Sequence, residues 1–113
     1  MRKILIAWLL VMACLLTCPL SGLSSNGEKF YIQKFCVACH GERGVNITPN
    51  YPVLANQNLR YLFNQVKDII SKKRASKLTL LMTDITVIMT LTDQEIEAIS
   101  EYLNQLPGKQ TGP

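Results

Sequence analysis

The feature that most constrains the fold is a string of reactive side chains, Cys36-Val-Ala-Cys39-His40, in a chain of 113 residues. The string holds the only histidine and two of the four cysteines. A chain of this length forms one small domain, and the thin core of such a domain usually needs help from a disulfide, a metal or a cofactor. A bridge between Cys36 and Cys39 would close too small a loop to stabilise much. We therefore expect a metal or a cofactor, rather than a disulfide, to stabilise the domain.

The N-terminal segment has the pattern of an export signal. Arg2 and Lys3 precede the apolar run from Ile4 to Leu16, and small, turn-forming residues follow. This order of a positive start, an apolar run and a small-residue exit predicts a secretory signal peptide over residues 1–25. The apolar run is shorter than the roughly 20 residues that a membrane span requires. An uncleaved N-terminal anchor is the alternative.

Cys14 and Cys18 lie in this leader. Either one resembles the lipid-modified cysteine of a bacterial lipoprotein, but we interpret both as ordinary apolar residues of the signal.

Removal of the leader leaves ten Lys and Arg against eight Asp and Glu, and no nucleic-acid motif accompanies this modest charge. The basic run at 72–77 is interpreted as a solvated helix end, with a docking patch for an acidic protein as the alternative.

Three helices are predicted after the leader, and no segment shows the alternation of a strand. They span approximately Gly27–Phe35, Asn58–Lys73 and Asp93–Leu106. Capping boxes that begin at Ser25 and Thr92 favour the starts of the first and third helices, and Asn56 or Asn58 can cap the second. The apolar, β-branched segment Leu78–Met89 is predicted to be a wrapped loop or a short helical turn.

A Cys-x-x-Cys pair has three familiar uses. A thioredoxin-like redox pair requires a βαβ setting, which this chain does not offer. A zinc site requires four ligands, and Cys36, Cys39 and His40 leave one position open with no other Cys or His after the leader. Cys-x-x-Cys-His is also the attachment sequence of c-type haem, in which two thiols react with the porphyrin vinyl groups and the histidine ligates iron. The string favours this third use, because a covalent haem would itself supply the centre of the core.

The wider sequence resembles the class I c-type cytochromes, particularly the small bacterial periplasmic mono-haem type. Three segments between residues 27 and 106 carry the resemblance: GEKFYIQKFCVACHGERG, YPVLANQNLRYLFNQVKDIISKKR and LTDQEIEAISEYLNQL. The resemblance implies an all-α protein with the small cytochrome c fold, in which three main helices and loops wrap around one covalently bound haem. It implies a cytochrome c domain over residues 26–107, followed by a disordered C-terminal tail at 108–113.

The resemblance also implies roles for individual residues around the haem. Cys36 and Cys39 would carry the thioethers, and His40 would be the proximal ligand of the iron. Pro52 matches the family proline whose carbonyl accepts a hydrogen bond from the ligand histidine, which tunes the orientation and basicity of that ligand. Leu54 would press on the haem.

The sixth iron ligand in this family is a methionine upstream of the C-terminal helix. Met82 precedes Tyr102 by 20 residues, close to the family spacing, whereas Met89 precedes it by 13 and is the second candidate. A thioether ligand raises the potential of a haem and favours electron transfer. Gly27, Tyr31 and Tyr102 would lie where the first and last helices cross.

The resulting prediction is an electron-transfer protein rather than an enzyme. Its single haem, with His/Met axial ligation, would cycle between Fe(II) and Fe(III), and no triad, phosphate loop or carboxylate pair suggests catalysis. Its partners would be periplasmic redox proteins, such as an oxidase, a dehydrogenase or a bc-type complex, with no nucleic acid. Contact with the membrane would occur only through an uncleaved leader or a lipid anchor. The alternatives are a cytochrome subunit of a larger oxidase or dehydrogenase complex, and a haem protein with an open sixth position.

Overall fold

Helices and loops make up the computed structural model, which describes residues 1–15, 24–46 and 48–108. Within these residues the chain forms seven α-helices, a short 3-10 turn at Glu42–Gly44, and no strand. The helices are α1 (Arg2–Leu15), α2 (Ser24–Gln33), α3 (Cys36–His40), α4 (Leu59–Ile70), α5 (Lys77–Thr83), α6 (Thr86–Met89) and α7 (Asp93–Gln105). Helices α2, α4 and α7 correspond to the three predicted helices, and the all-α prediction is confirmed.

Helix α1 lies in the predicted leader, and the apolar side chains described in its first part, between Ile4 and Leu9, are largely exposed, Trp8 at 68 % among them. No helix in the described part of the chain is both long enough and apolar enough to cross a membrane. Residues 16–23 of the predicted signal, Cys18 among them, and residues 109–113 of the predicted tail lie outside the described residues, as does the side chain of Cys14. The signal peptide, the anchor and the tail therefore stay predictions.

The first predicted helix differs from the structure at both ends. Helix α2 begins at Ser24, three residues before the predicted start, and the side chain of Ser25, on which the predicted capping box depends, lies outside the described residues. The helix was expected to continue to Phe35, but Phe35 adopts the left-handed conformation with a φ of 63°. Because a helix cannot pass through such a residue, the chain changes direction and the Cys-x-x-Cys-His string forms α3 by itself.

The predicted caps of the other two long helices are present. The side chain of Asn58 accepts a hydrogen bond from the Tyr61 amide at 3.0 Å, and α4 begins directly after this cap. Thr92 accepts a hydrogen bond from the Glu95 amide at 3.2 Å, and the Glu95 carboxylate accepts one from the Thr92 amide at 2.9 Å. This reciprocal pair is the capping box predicted for α7.

The segment predicted to be a wrapped loop or a short helical turn forms two short helices, α5 and α6. Ser76 starts α5 through a capping box with Thr79: the Thr79 amide donates to the Ser76 hydroxyl at 3.3 Å, and the Ser76 amide donates to the Thr79 hydroxyl at 2.7 Å. Threonine takes the place of the usual Glu or Gln in this box. The start of α5 was therefore not predicted from the apolar, β-branched composition of this segment.

Helices α2 and α7 cross in close contact at Gly27. A Cβ atom on Gly27 would lie 2.2 Å from the carbonyl oxygen of Ala98 and 2.6 Å from the Cβ of Tyr102. One turn further along α2, the rings of Tyr31 and Tyr102 pack with their centroids 5.8 Å apart. The predicted crossing of the first and last helices is thus confirmed. The buried core around it consists of Tyr31, Leu62, Ile99, Tyr102 and Leu103.

Glu95 links the start of α7 to the end of α2. Lys34 lies 2.8 Å from the Glu95 carboxylate, and both side chains are less than one-fifth exposed. The hydrogen bond from Lys34, with the one from the Thr92 amide, holds the pKa of Glu95 below its ordinary value of 4.5. The pair between Arg60 and Glu97, at 3.3 Å, is more exposed.

We expect Gly27→Ala to lower the free energy of unfolding by about 2 kcal/mol, because the added methyl group would overlap the backbone of α7 and separate the two helices. Denaturant unfolding of the purified protein measures this change. Gly108→Ala is the matched control: its Cβ would lie 3.4 Å from Asn56 in ordinary contact, and we expect a change within about 0.5 kcal/mol. Equal stability of the two variants would contradict the close crossing.

The lowered pKa of Glu95 predicts a pH-dependent contribution to stability. Glu95→Gln keeps a side chain that can complete the capping box but removes the charge, and we expect it to cost up to about 1 kcal/mol at neutral pH. The contribution of Glu95 is present above its ordinary pKa of 4.5 and is lost as the pH falls through the lower pKa of the folded state. Urea unfolding of both proteins over an acid pH series should therefore show the difference shrinking below pH 4.5. A difference that grows in acid, or a larger effect from Glu97→Gln, would contradict this role.

Candidate haem-binding site

A largely apolar cavity of about 240 Å³ lies among α2, α3, α4, α5 and α7. Helices α4 and α7 each contribute an apolar stripe, a row of apolar side chains three or four residues apart on one face, to its walls. The contributing side chains from these two helices are Leu62, Val66, Ile69, Ile96, Ile99 and Leu103. The apolar faces of two separate helices therefore border one space.

Both cysteines of the Cys-x-x-Cys-His string line this cavity from α3. Each has a free thiol and is partly buried. Burial, reinforced by the neighbouring Cys39, raises the pKa of the Cys36 thiol to about 11 against the opposing effect of a backbone hydrogen bond. The Cys36 thiol is consequently protonated at neutral pH.

His40 lines the same cavity and is 7 % exposed. Its Nδ1 lies 3.2 Å from the carbonyl oxygen of Pro52, and because a carbonyl can only accept, Nδ1 must carry the proton. Burial lowers the pKa of His40, and the Pro52 carbonyl only partly opposes this. The imidazole is therefore neutral, with the lone pair of Nε2 available to a metal.

The loop that carries Pro52 is tied to the turn that follows α3. The carbonyl of Gly44 accepts hydrogen bonds from the amides of Leu54 at 2.8 Å and Ala55 at 3.1 Å. These bonds hold residues 52–55 beside the string, and both Pro52 and Leu54 line the cavity. The hydrogen bond from His40 to Pro52 thus joins two segments that are also fixed through their backbones.

Met82 reaches the cavity from α5. Its side chain is partly buried, as is that of Met89 at the end of α6, but Met89 is not among the described residues that line the cavity. The structure therefore brings six predicted residues to one space. They are Cys36, Cys39, His40, Pro52, Leu54 and Met82.

Several polar residues around the cavity were not predicted. Arg74 lines it and donates a hydrogen bond to Gln65, another lining residue. Arg74 belongs to the basic run interpreted as a solvated helix end, and nothing in its local sequence distinguishes it from Lys72 and Lys73. Ser100 is 2 % exposed and also lines the cavity. Its position four residues after an apolar residue of the α7 stripe was the available signal.

The residues present suit an iron porphyrin. The apolar walls match a large apolar ring, and two thiols, a neutral imidazole and a thioether face the same space. Across residues 1–15, 24–46 and 48–108, no group of three or more His, Cys, Asp or Glu lies close enough together to hold a metal ion. The zinc alternative requires such a group.

Fold and site together define a helical protein in which a Cys-x-x-Cys-His string lines an apolar cavity. The family described as Cytochrome c matches residues 24–107, and the chain belongs to this family. It is a bacterial c-type cytochrome, as the resemblance implied. The cytochrome c fold is confirmed, and the family supports a covalently bound haem c with iron and a function in electron transfer.

The most informative relatives are longer proteins. Cytochrome c4 of Pseudomonas aeruginosa is 37 % identical over 98 residues, which cover 82 % of this chain and 46 % of that protein. The thiosulfate dehydrogenase electron acceptor of Stutzerimonas stutzeri is 35 % identical over 77 residues, covering 68 % of this chain and 35 % of that protein. The crystal structure of reduced recombinant cytochrome c4 from Pseudomonas stutzeri has a TM-score of 0.63 at 26 % identity, covering 75 % of this chain and 48 % of that one. The chain thus spans about half the length of these relatives, or less.

Proposed function

We propose that this chain carries one haem c, attached through Cys36 and Cys39, whose iron is bound axially by His40 and Met82. In this role the protein carries single electrons between periplasmic redox proteins and catalyses no reaction of its own. The observation that supports the proposal most directly is that the thiols and the imidazole of α3 and the thioether of α5 line one apolar cavity.

Each residue has a distinct task in electron transfer. When bound, the haem supplies a one-electron Fe(II)/Fe(III) couple. His40 offers its Nε2 lone pair, and the Pro52 carbonyl fixes the ring and increases the basicity of the imidazole by accepting a hydrogen bond from Nδ1–H. Met82 offers a neutral, soft sulfur that favours Fe(II) and closes the sixth position to oxygen. The apolar stripes of α4 and α7 limit the access of water.

An electron must enter and leave at a surface close to the cavity. Leu78 and Leu81 line the cavity and are 52 % and 49 % exposed, so α5 presents an apolar edge beside the site. Partners are redox proteins of the oxidase, dehydrogenase or bc-complex type. The relative named as an electron acceptor of thiosulfate dehydrogenase supports a dehydrogenase as one class of electron donor.

The proposed location is the periplasm, because the leader would direct export and because c-type haem is attached outside the cytoplasm. Residues 1–25 would direct export, residues 26–107 would form the haem domain in the periplasm, and residues 108–113 would form a tail. A leader that is retained, or a lipid on Cys14 or Cys18, would hold the domain at the inner membrane. The mass of the mature protein, isolated from a strain that attaches haem, distinguishes these cases.

The same mass measurement tests the covalent attachment. We expect the mature wild-type protein to exceed its chain mass by one haem that survives acid-acetone extraction, because thioether bonds do not break under these conditions. The double variant Cys36→Ala/Cys39→Ala should lose all covalent haem, whereas Cys14→Ala should retain it. A colourless wild-type protein from a strain with working haem attachment would overturn the proposed function.

The distal ligand is tested by the near-infrared charge-transfer band of Met-ligated Fe(III). Met82→Ala should abolish this band in the oxidised protein and lower the reduction potential, because the soft thioether that favours Fe(II) is lost. Met89→Ala is the matched control and should leave the band in place, since Met89 does not line the cavity. Loss of the band in Met89→Ala alone would transfer the role to Met89, and no band in the wild type would favour an open sixth position.

A further inference from the structure

Tyr31 makes a buried hydrogen bond that the proposed haem chemistry does not by itself require. The side chain is 1 % exposed, and its hydroxyl donates to the carbonyl oxygen of Gly41 at 2.7 Å. Burial raises the pKa of Tyr31 well above its ordinary value of 10, so the hydroxyl stays protonated as a donor. The acceptor belongs to the residue that directly follows His40.

The turn at Gly41 requires glycine, and the carbonyl of Gly41 accepts two hydrogen bonds. Gly41 has a φ of +77°, and a Cβ there would lie 2.1 Å from the carbonyl oxygen of Val45, so only glycine fits. Apart from the Tyr31 hydroxyl, the Gly41 carbonyl accepts the Gly44 amide at the longer distance of 3.3 Å. The tyrosine therefore provides the shorter of the two hydrogen bonds at this carbonyl.

The same turn holds His40 from two sides. Gly41 continues the backbone of His40, and Gly44 accepts the amides of Leu54 and Ala55 in the loop that carries Pro52. The carbonyl of Pro52 in turn accepts a hydrogen bond from Nδ1–H of His40. A shift of the turn therefore moves the histidine ring and its hydrogen-bond acceptor relative to each other.

From this geometry we infer that Tyr31 is a positioning residue, whose hydroxyl fixes the turn after α3 and thereby sets the hydrogen bond between His40 and the Pro52 carbonyl. The inference rests on the proposed role of His40 as the axial ligand. A strong hydrogen bond at Nδ1 makes the imidazole a better electron donor and stabilises Fe(III). Loss of the Tyr31 hydroxyl should weaken this hydrogen bond and raise the reduction potential.

Tyr31→Phe is the direct test, because it removes the hydroxyl and keeps the ring that packs on Tyr102. In the haem-loaded variant we expect a more positive reduction potential and a several-fold faster solvent exchange of the His40 Nδ1 proton, followed by NMR in the reduced state. Tyr102→Phe is the matched control: it alters the packing partner of Tyr31, but its hydroxyl takes no part in the hydrogen bonds that join Gly41 to Pro52. It should leave both quantities close to those of the wild type.

The inference would be overturned if Tyr31→Phe kept the reduction potential and the His40 Nδ1 exchange rate of the wild type. Equal changes in the two variants would overturn it as well. A second measurement needs no variant. In the reduced wild-type protein, the hydroxyl proton of Tyr31 should be protected from exchange and should show a nuclear Overhauser contact to the Gly41 segment; rapid exchange of this proton would overturn the inference even if Tyr31→Phe failed to take up haem. Failure of the wild type to carry covalent haem would instead overturn the proposed function, so the two failures are distinguishable.

Discussion

The contact between the backbones of α2 and α7 at Gly27 is the constraint on which the rest of the domain depends. A side chain at this position would meet the Ala98 carbonyl at 2.2 Å, so the two helices can approach only because residue 27 has none. Their approach brings Tyr31 against Tyr102 and places the end of α2 next to Glu95 at the start of α7. Helix α3 follows within three residues of α2, and the site is thus built outward from this crossing.

The apolar cavity indicates how so small a domain would bury enough apolar surface to be stable. Side chains of both apolar stripes, those of α4 and α7, line this cavity, although Leu62 of α4 also belongs to one buried cluster with Ile99 and Leu103 of α7, and a domain of this size buries little apolar surface by itself. A haem fixed to Cys36 and Cys39 would give both stripes a common apolar surface. A haem attached as proposed would therefore contribute to the stability of the folded domain by completing its core.

Local signals predicted some elements well, and tertiary constraints hid others. The caps at Asn58 and Thr92 were correct because a cap depends only on residues within one helical turn. The break at Phe35 could not be predicted, since a non-glycine residue takes a left-handed conformation only where the surrounding structure holds it. Helix α5 was missed because Thr79 completes an unusual capping box. Within the site, the string of α3 was evident from spacing alone, whereas Pro52 and Met82 required the family resemblance.

The packing of α5 and α6 gives a physical reason why Met82 and Met89 are not equivalent. Met82 of α5, Ile85 in the extended link before α6, and Ile88 of α6 all line the cavity. Ile88 is 3 % exposed, so α6 turns this side chain fully inward. Met89 comes one residue later, about 100° around the helix axis, and its sulfur cannot share the direction of Ile88. The described residues thus turn Met82, and not Met89, toward the cavity, which supports Met82 as the proposed ligand.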